Sequence, residues 1–384
     1  MASTPVVHPY KLPTGRSYLG LITKRAYRIP LRGPAEPLPD APPIHSKIAY
    51  VPSTSPTGMR RLLHDSDLFC CAKPVTDVLL LGSAHSLRGR VQSIDTAIEV
   101  GPVKKAVRVH GDRRVERGPD DALRFGPAEG FESMPVDWDH AYGGRDLHAE
   151  DLRYPKPRGA LDPRAKKEEV HGALCYPRNY AGRGFMLGVN PERIMGTLAP
   201  NLEDPNHPIT ADRLILADLL DWMDAPVSAA YGPIDLFTFP RALFALRPAF
   251  NPPKRRLHEL DAGAVTAADL VAPLQLTPPS DPRGYACAPA GLAVRRLEGA
   301  ERVKLWNLHR EREYVELDLP ADRPTLILEP PGVAPRRLEA LLQTVLIEPD
   351  EGRITLTWAG VLETAMIYPK EMAATMRHAV TWPR

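Results

Sequence analysis

Three short polar blocks hold the residues whose types and spacing could do chemistry. Residues 134–145, MPVDWDHAYGGR, place Asp137, Asp139 and His140 within four positions. Two carboxylates and an imidazole are suitable ligands for a hard metal and suitable acid–base groups. On an extended backbone both aspartates share a face and His140 points the other way. The alternative is structural. Gly143-Gly144 makes a tight turn behind Tyr142, while the aspartates and Arg145 satisfy loop backbone groups. No second ligand motif follows at a recognisable spacing.

The second block, YPRNYAGRGF at 176–185, sets Gly182 and Gly184 on either side of Arg183, with Asn179 able to support a turn. Such a loop could cradle a phosphate through its N–H groups, although it matches neither the P-loop nor the dinucleotide fingerprint. The alternative is a structural loop that sets Arg183 against a carboxylate. The third block, LAPNLEDP at 198–205, reads as a rigid turn carrying Asn201 and Glu203. Its Glu203 is the expected partner of Arg145 or Arg183. Signals for a nucleophile are missing. Gly82-Ser83-Ala84-His85 is only superficially like a nucleophile elbow, no HExxH occurs, and Cys70-Cys71 read as small buried residues. The triplet Lys254, Arg255, Arg256 has no interleaved aromatics and reads as a solvated face.

The elements that must position these blocks are mostly strands. Residues 19–29 form the first strand, and prolines between 34 and 43 make an extended connector. Residues 77–82, DVLLLG, are a buried strand ended by glycine. Ile98 and Val100, then Val107 and Val109 across Gly101-Pro102, alternate as a hairpin with one wet face. Residues 113–208 lack periodicity and must be ordered by side-chain and backbone contacts, with 153–170 an exposed loop. Leu216, Leu219, Leu220 and Met223 predict an amphipathic helix over 212–224. Val315, Leu317 and Leu319 alternate, 325–328 is an apolar run, and a turn at 349–352 joins strands 341–347 and 353–358 into a hairpin. Residues 369–380 are expected to be a helix with Pro369 at N1 and Met372, Met376 and Val380 on one face.

Composition narrows the class. The 384 residues include 43 prolines, more than twice the average share of about 5%, which disfavours helical bundles and long coiled coils. A net charge of +2 supplies no field for nucleic acid or anionic membrane. Four cysteines without a CxxC pair make neither a disulfide framework nor a zinc ribbon. No secretory h-region and no run of 18 apolar residues is present, so neither export by signal peptide nor membrane insertion is expected. The expected fold is mainly β (α+β): intertwined sheets in a sandwich-like core with long ordered Pro/Gly-rich loops and a few short helices. It is read as one intertwined domain, with an N-terminal β region (15–115), a loop-rich motif region (116–245), a variable region (246–295) and a C-terminal β region (296–384).

Eight blocks in one order make the chain similar to a bacterial family of unknown-function domains encoded in type VI secretion loci, beside spike (VgrG), PAAR-tip and toxin genes. They start with LITKRAYRI and SDLFCCAKPVTDVLLLGSAHS, continue with VRVHGDRR and the three polar blocks, and go on through YGPI and FPRA. The strands LWNLHRE and QTVLIEPDEGRITLTWAG follow. The resemblance spans about 15–360 and departs from the family pattern between 240 and 294. It implies a cytoplasmic, non-enzymatic adaptor or chaperone without cofactor. Such a protein holds a cognate toxin and helps load it on the VgrG–PAAR spike. No catalytic residue carries over, and the polar blocks become an ordered scaffold. Two alternatives stand beside this: a metal-dependent or acid–base enzyme built on Asp137, Asp139, His140 and Arg183, and a structural module that travels with the secreted spike.

Overall fold

The computed structural model describes residues 2–11, 16–30, 33–55, 60–69, 73, 75–149, 174–236, 238–239, 241 and 285–383. Cys70, Cys71, the 153–170 loop, the triplet Lys254, Arg255, Arg256 and most of the variable region lie outside the described residues. The main strands are β1 (Val6–Lys11), β2 (Ser17–Arg28), β3 (Thr76–Leu80), β4 (Ser93–Val100), β5 (Val103–His110), β6 (Leu202–Glu203) and β7 (Ala293–Val294). They continue with β8 (Arg302–His309), β9 (Arg312–Asp318), β10 (Thr325–Glu329), β11 (Arg336–Leu338), β12 (Leu341–Glu348) and β13 (Arg353–Thr364). Helix α1 (Lys370–Ala374) and strand β14 (Arg377–Thr381) follow. The fold is mainly β.

A seven-stranded sheet runs β1-β2-β13-β12-β3-β7, with Glu36–Pro37 also paired to β2. Its spine is the antiparallel pair of β2 and β13, in register from Ser17 opposite Thr364 to Arg28 opposite Arg353. The β3–β12 pair is parallel. A five-stranded sheet runs β6-β5-β4-β8-β9, and a three-stranded sheet runs β11-β10-β14. One apolar cluster joins the sheets through Leu21, Tyr27, Val78, Ile98, Val107, Leu305, Val345, Leu356 and Trp358. Each such side chain stabilises the fold by about 1.5–3 kcal/mol through burial. The opposite face of the large sheet carries Lys24, Thr355 and Thr357, and these are buried too. A second apolar cluster organises the loop-rich middle around Tyr142, Tyr176, Phe185, Leu214 and Trp222.

The expected strands form, but the one read as first is second: Val6–Lys11 precedes it and pairs with it, and the proline connector contributes Glu36–Pro37 to the same sheet. Gly101 has φ +54° ahead of Pro102 in the β4–β5 turn, and Gly352 adopts the left-handed conformation at the β12–β13 turn. Two helices do not form as read. Residues 212–224 divide into a 3₁₀ turn Ala211–Leu214, a strand pair of Ile215–Leu216 with Met186–Leu187, and a 3₁₀ segment Leu219–Asp224. Tertiary partners take the carbonyls that a helix would use. The Tyr142 hydroxyl donates to Leu214 O at 3.2 Å, and the Gly188 N–H donates to Leu216 O at 2.8 Å. At the C-terminal end α1 stops at Ala374 with Pro369 as its N-cap. Residues 377–381 pair with β10 instead. Met376 is buried while Met372 is exposed, so the one-face grouping also fails.

Candidate functional site

The turn at 137–140 draws the first block into a loop junction. The His140 N–H donates to Asp137 O at 3.3 Å, and His140 Nδ1 lies 2.7 Å from Asp137 Oδ1. The backbone is therefore not extended, and His140 folds onto Asp137 rather than pointing away. The two carboxylates still converge, because Arg61 lies 3.6 Å from Asp137 Oδ2 and 3.3 Å from Asp139 Oδ2. Asp139 is fully buried. Its Oδ2 accepts the Thr54 N–H at 2.9 Å and the Thr54 hydroxyl at 3.2 Å. Burial alone would raise the Asp137 pKa, but the hydrogen bond and charge of His140 and the charge of Arg61 hold it below the usual carboxylate value. Asp137 is thus an ionised acceptor rather than an acid.

The second block locks onto the first. Tyr142–Gly143 and Arg183–Gly184 pair as short parallel strands. The fit excludes any side chain at the glycines. A Cβ on Gly143 would lie 2.1 Å from Asn179 O, one on Gly144 2.5 Å from Gly182 O, and one on Gly182 2.4 Å from Ala141 O. Gly143 also has φ +146°. The N–H groups that might have cradled an anion point into this packing. Arg183 N–H donates to Ala141 O and Phe185 N–H to Gly143 O, each at 3.0 Å. Asn179 Nδ2 donates to Trp138 O at 2.8 Å and Tyr142 O at 3.1 Å. Ser55 reaches over to Gly182 O at 2.7 Å.

Arg183 is nearly buried, with 7% exposure. Its Nε donates to Asp139 O at 2.9 Å and its Nη1 to Asn201 Oδ1 at 3.0 Å, with Asp112 Oδ1 at 3.6 Å. Asn201 Nδ2 in turn donates to Asp112 Oδ1 at 2.9 Å and His110 O at 3.1 Å. The expected pairing of Glu203 is corrected. Its carboxylate meets His110 Nε2 at 2.8 Å and the Ile209 N–H at 2.9 Å, with Arg113 at 3.8 Å. The reason is register: Glu203 sits on β6 opposite Arg108, which turns it toward β5 and away from the Arg183 loop. The backbone of Arg145 pairs with that of Cys175 in an isolated antiparallel β-bridge, and Arg145 lines a cleft of about 510 Å³ together with Arg183 and Phe185.

The thirteen residues named from the three blocks thus sit in or beside one junction. Most of their polar groups cap loop backbone that no strand ladder serves. Asp139 Oδ1 is a buried exception without a hydrogen-bond partner. Among the described residues, no group of three or more His, Cys, Asp and Glu side chains is placed to hold a metal ion.

Sequence reasoning missed the partners His110, Asp112, Thr54 and Arg61. The Gly-Asp-Arg at 111–113 was the available signal for Asp112. It also missed a second buried polar group. Asp77 accepts from Lys73 Nζ, the Cys287 N–H at 3.2 Å and the Ala288 N–H at 3.1 Å. Burial, reinforced by the Asp77 charge, pushes the Cys287 thiol pKa well up, which favours the neutral thiol over the thiolate.

No curated protein matches the chain, and no solved structure does. The family described as an uncharacterized protein conserved in bacteria (DUF2169) matches residues 14–359. With the match covering most of its length, the chain belongs to that bacterial family.

Proposed function

We propose that this protein is a non-enzymatic adaptor that holds a toxin effector in the cytoplasm and assists its loading on a VgrG–PAAR spike of a type VI secretion system. The family resemblance motivates the partner class. The structural support is an available strand edge. β14 pairs only with β10 among the described residues, and most of its residues are exposed. The segment leading into it exposes Met366 and Ile367 at 59% each and Met372 at 45%. An unpaired edge beside apolar side chains suits addition of an extended segment from another chain, with main-chain bonds giving affinity and the apolar groups giving preference. Engagement of Asp137, His140, Asn179, Arg183, Asn201 and Glu203 in the scaffold agrees with a binding role rather than with chemistry at that cluster.

The test is affinity capture of the tagged protein from its native cells, with bound proteins identified by mass spectrometry. One toxin, with or without spike proteins, is expected. A Met366→Asp/Ile367→Asp/Met372→Asp variant should lose that partner while melting as the parent does, since exposed substitutions rarely move stability by more than about 0.5 kcal/mol. Capture of no effector sinks the proposal. Recovery of the protein from the culture medium together with the spike favours a travelling structural module.

A further inference from the structure

A cavity of about 290 Å³ lies on the face of the large sheet opposite the main core. That is the small end of the range for ligand pockets, roughly 300–1,000 Å³. Its walls include Lys24, His45, Leu63, Tyr285, Gln343 and Thr355.

The charged groups of this wall are matched within the protein. Lys24 Nζ meets Asp67 at 2.6 Å, Lys73 meets Asp77, and Arg353 makes two bonds of 2.8 Å to Glu348. The His45 ring stacks on His64 with centroids 3.6 Å apart.

Two buried neutral side chains of the wall are not matched. Gln343 is 4% exposed, and neither its Nε2 nor its Oε1 has a hydrogen-bond partner. Thr355, 2% exposed, leaves its Oγ1 unpartnered in the same wall. Buried amides and hydroxyls are costly to leave unbonded, so each asks for an explanation. Local geometry makes the case sharper. Leu342 faces Trp358 and Thr344 faces Thr357, so Gln343 is the extra residue of a β-bulge in β12. Bulges re-aim a side chain and are over-represented beside binding sites. The terminal torsion of glutamine is broad, which lets the amide turn to meet a ligand.

We infer that this cavity is a binding site for a small neutral ligand with a carboxamide or peptide unit on an apolar body. Gln343 offers one donor and one acceptor to an amide's acceptor and donor, and Thr355 adds a third bond. A charged ligand finds no free counter-charge in this wall, because Lys24, Lys73 and Arg353 already have theirs. The inference stands apart from the adaptor proposal and can fail or hold without it.

The probe is N-acetyl-leucinamide, compared with N-acetylleucine, which is anionic, and leucinamide, which is cationic. Binding to the full chain is followed by calorimetric titration and by the melting temperature. The neutral amide is expected to bind, with the charged analogues at least tenfold weaker. Gln343→Leu should lose binding at least tenfold while its own melting temperature stays level or rises, because the unbonded amide is gone. Thr355→Val, nearly isosteric, should weaken binding about three- to tenfold and provides the check if Gln343→Leu folds poorly. Equal binding of charged and neutral probes, or unchanged binding by both variants, overturns the inference. So does failure of the neutral probe to bind the parent. A capped pentapeptide amide separates two sources of the same chemistry. Tight binding of the pentapeptide supports a segment of another chain, and its exclusion while the short probe binds supports a free small molecule.

Discussion

Replacing Gly143 with alanine tests whether the glycine blocks are an interlocked junction or an adaptable loop. Gly196 supplies the control, because it too has a positive φ, +74°, but open space around its Cβ position. Alanine at Gly196 therefore carries mainly the left-handed penalty, about 1–2 kcal/mol. Alanine at Gly143 starts from φ +146° and puts its Cβ 2.1 Å from Asn179 O and 2.9 Å from Asn179 Cβ. Neither contact is a yielding side-chain tip, so the 141–144 and 179–184 segments must move apart. Overpacking of this kind costs about 1–3 kcal/mol. Separation also endangers the bond from the Gly144 N–H to Asn179 O, 2.8 Å long. Gly143→Ala is thus expected to be less stable than Gly196→Ala by about 2–3 kcal/mol. In urea unfolding followed by far-ultraviolet circular dichroism, that difference lowers the midpoint by roughly 1 M at ordinary slopes. Equal midpoints for the two variants would refute the interlocking.

Other consequences follow from the buried polar groups. Asp77→Ala leaves Lys73 buried without its carboxylate and should cost about 3–5 kcal/mol in equilibrium unfolding, with the Lys73→Met/Asp77→Leu double variant less damaged than the single one. Arg183→Lys keeps the charge but not the guanidinium fork that bonds Asp139 O and Asn201 Oδ1, so a loss of about 2–4 kcal/mol is expected in the same assay. The His45 pKa is pushed down from 6.5 to about 4, first by burial and then by the charges of Lys24 and His64, against the opposing pull of Asp67 and Glu348. The unfolded chain therefore binds the proton more readily. Stability should fall as pH drops from 6.5 toward 4, and His45→Phe should flatten that slope in melting curves. A variant that keeps the full slope would assign the effect elsewhere.

Strands were legible wherever one face meets the core and the other does not. Ile98, Val100, Val107 and Val109 announce β4 and β5, and Ile354, Leu356 and Trp358 announce β13, because a period of two has one structural meaning. The 212–224 pattern has two. Leucines at helical spacing also suit a chain that turns, pairs for two residues and turns again, once Tyr142 and Gly188 claim its carbonyls. Val380 reads as the end of a helix face until β10 offers it an edge. The glycine, asparagine and arginine blocks were legible as turn chemistry. Their mutual partners were not, since Arg183 and Asn201 stand 18 positions apart in the chain and meet only through tertiary packing. Gln343 gave no signal because a bulge is a mismatch between two strands and cannot be seen in one of them.

These differences separate the recognisable blocks from the sites proposed above. The blocks that carry the family resemblance do the work that ladders do elsewhere. Asn179 caps Trp138 O and Tyr142 O, Arg183 caps Asp139 O, Asn201 caps His110 O, and Arg241 caps Ile234 O. A loop-rich middle without ladders needs such side chains at fixed positions, because each buried carbonyl left bare costs about 1–3 kcal/mol. Their types are therefore dictated by the scaffold. The exposed Met366 and Ile367 and the unbonded side-chain groups of Gln343 and Thr355 cap no such carbonyl, so substitutions there leave the scaffold's hydrogen bonds in place. Function resides in sites placed on a fold rather than in the fold itself. In this protein the proposed sites are the β14 edge, unpaired among the described residues, and the unbonded Gln343 amide, and a search confined to the motif residues would pass over both.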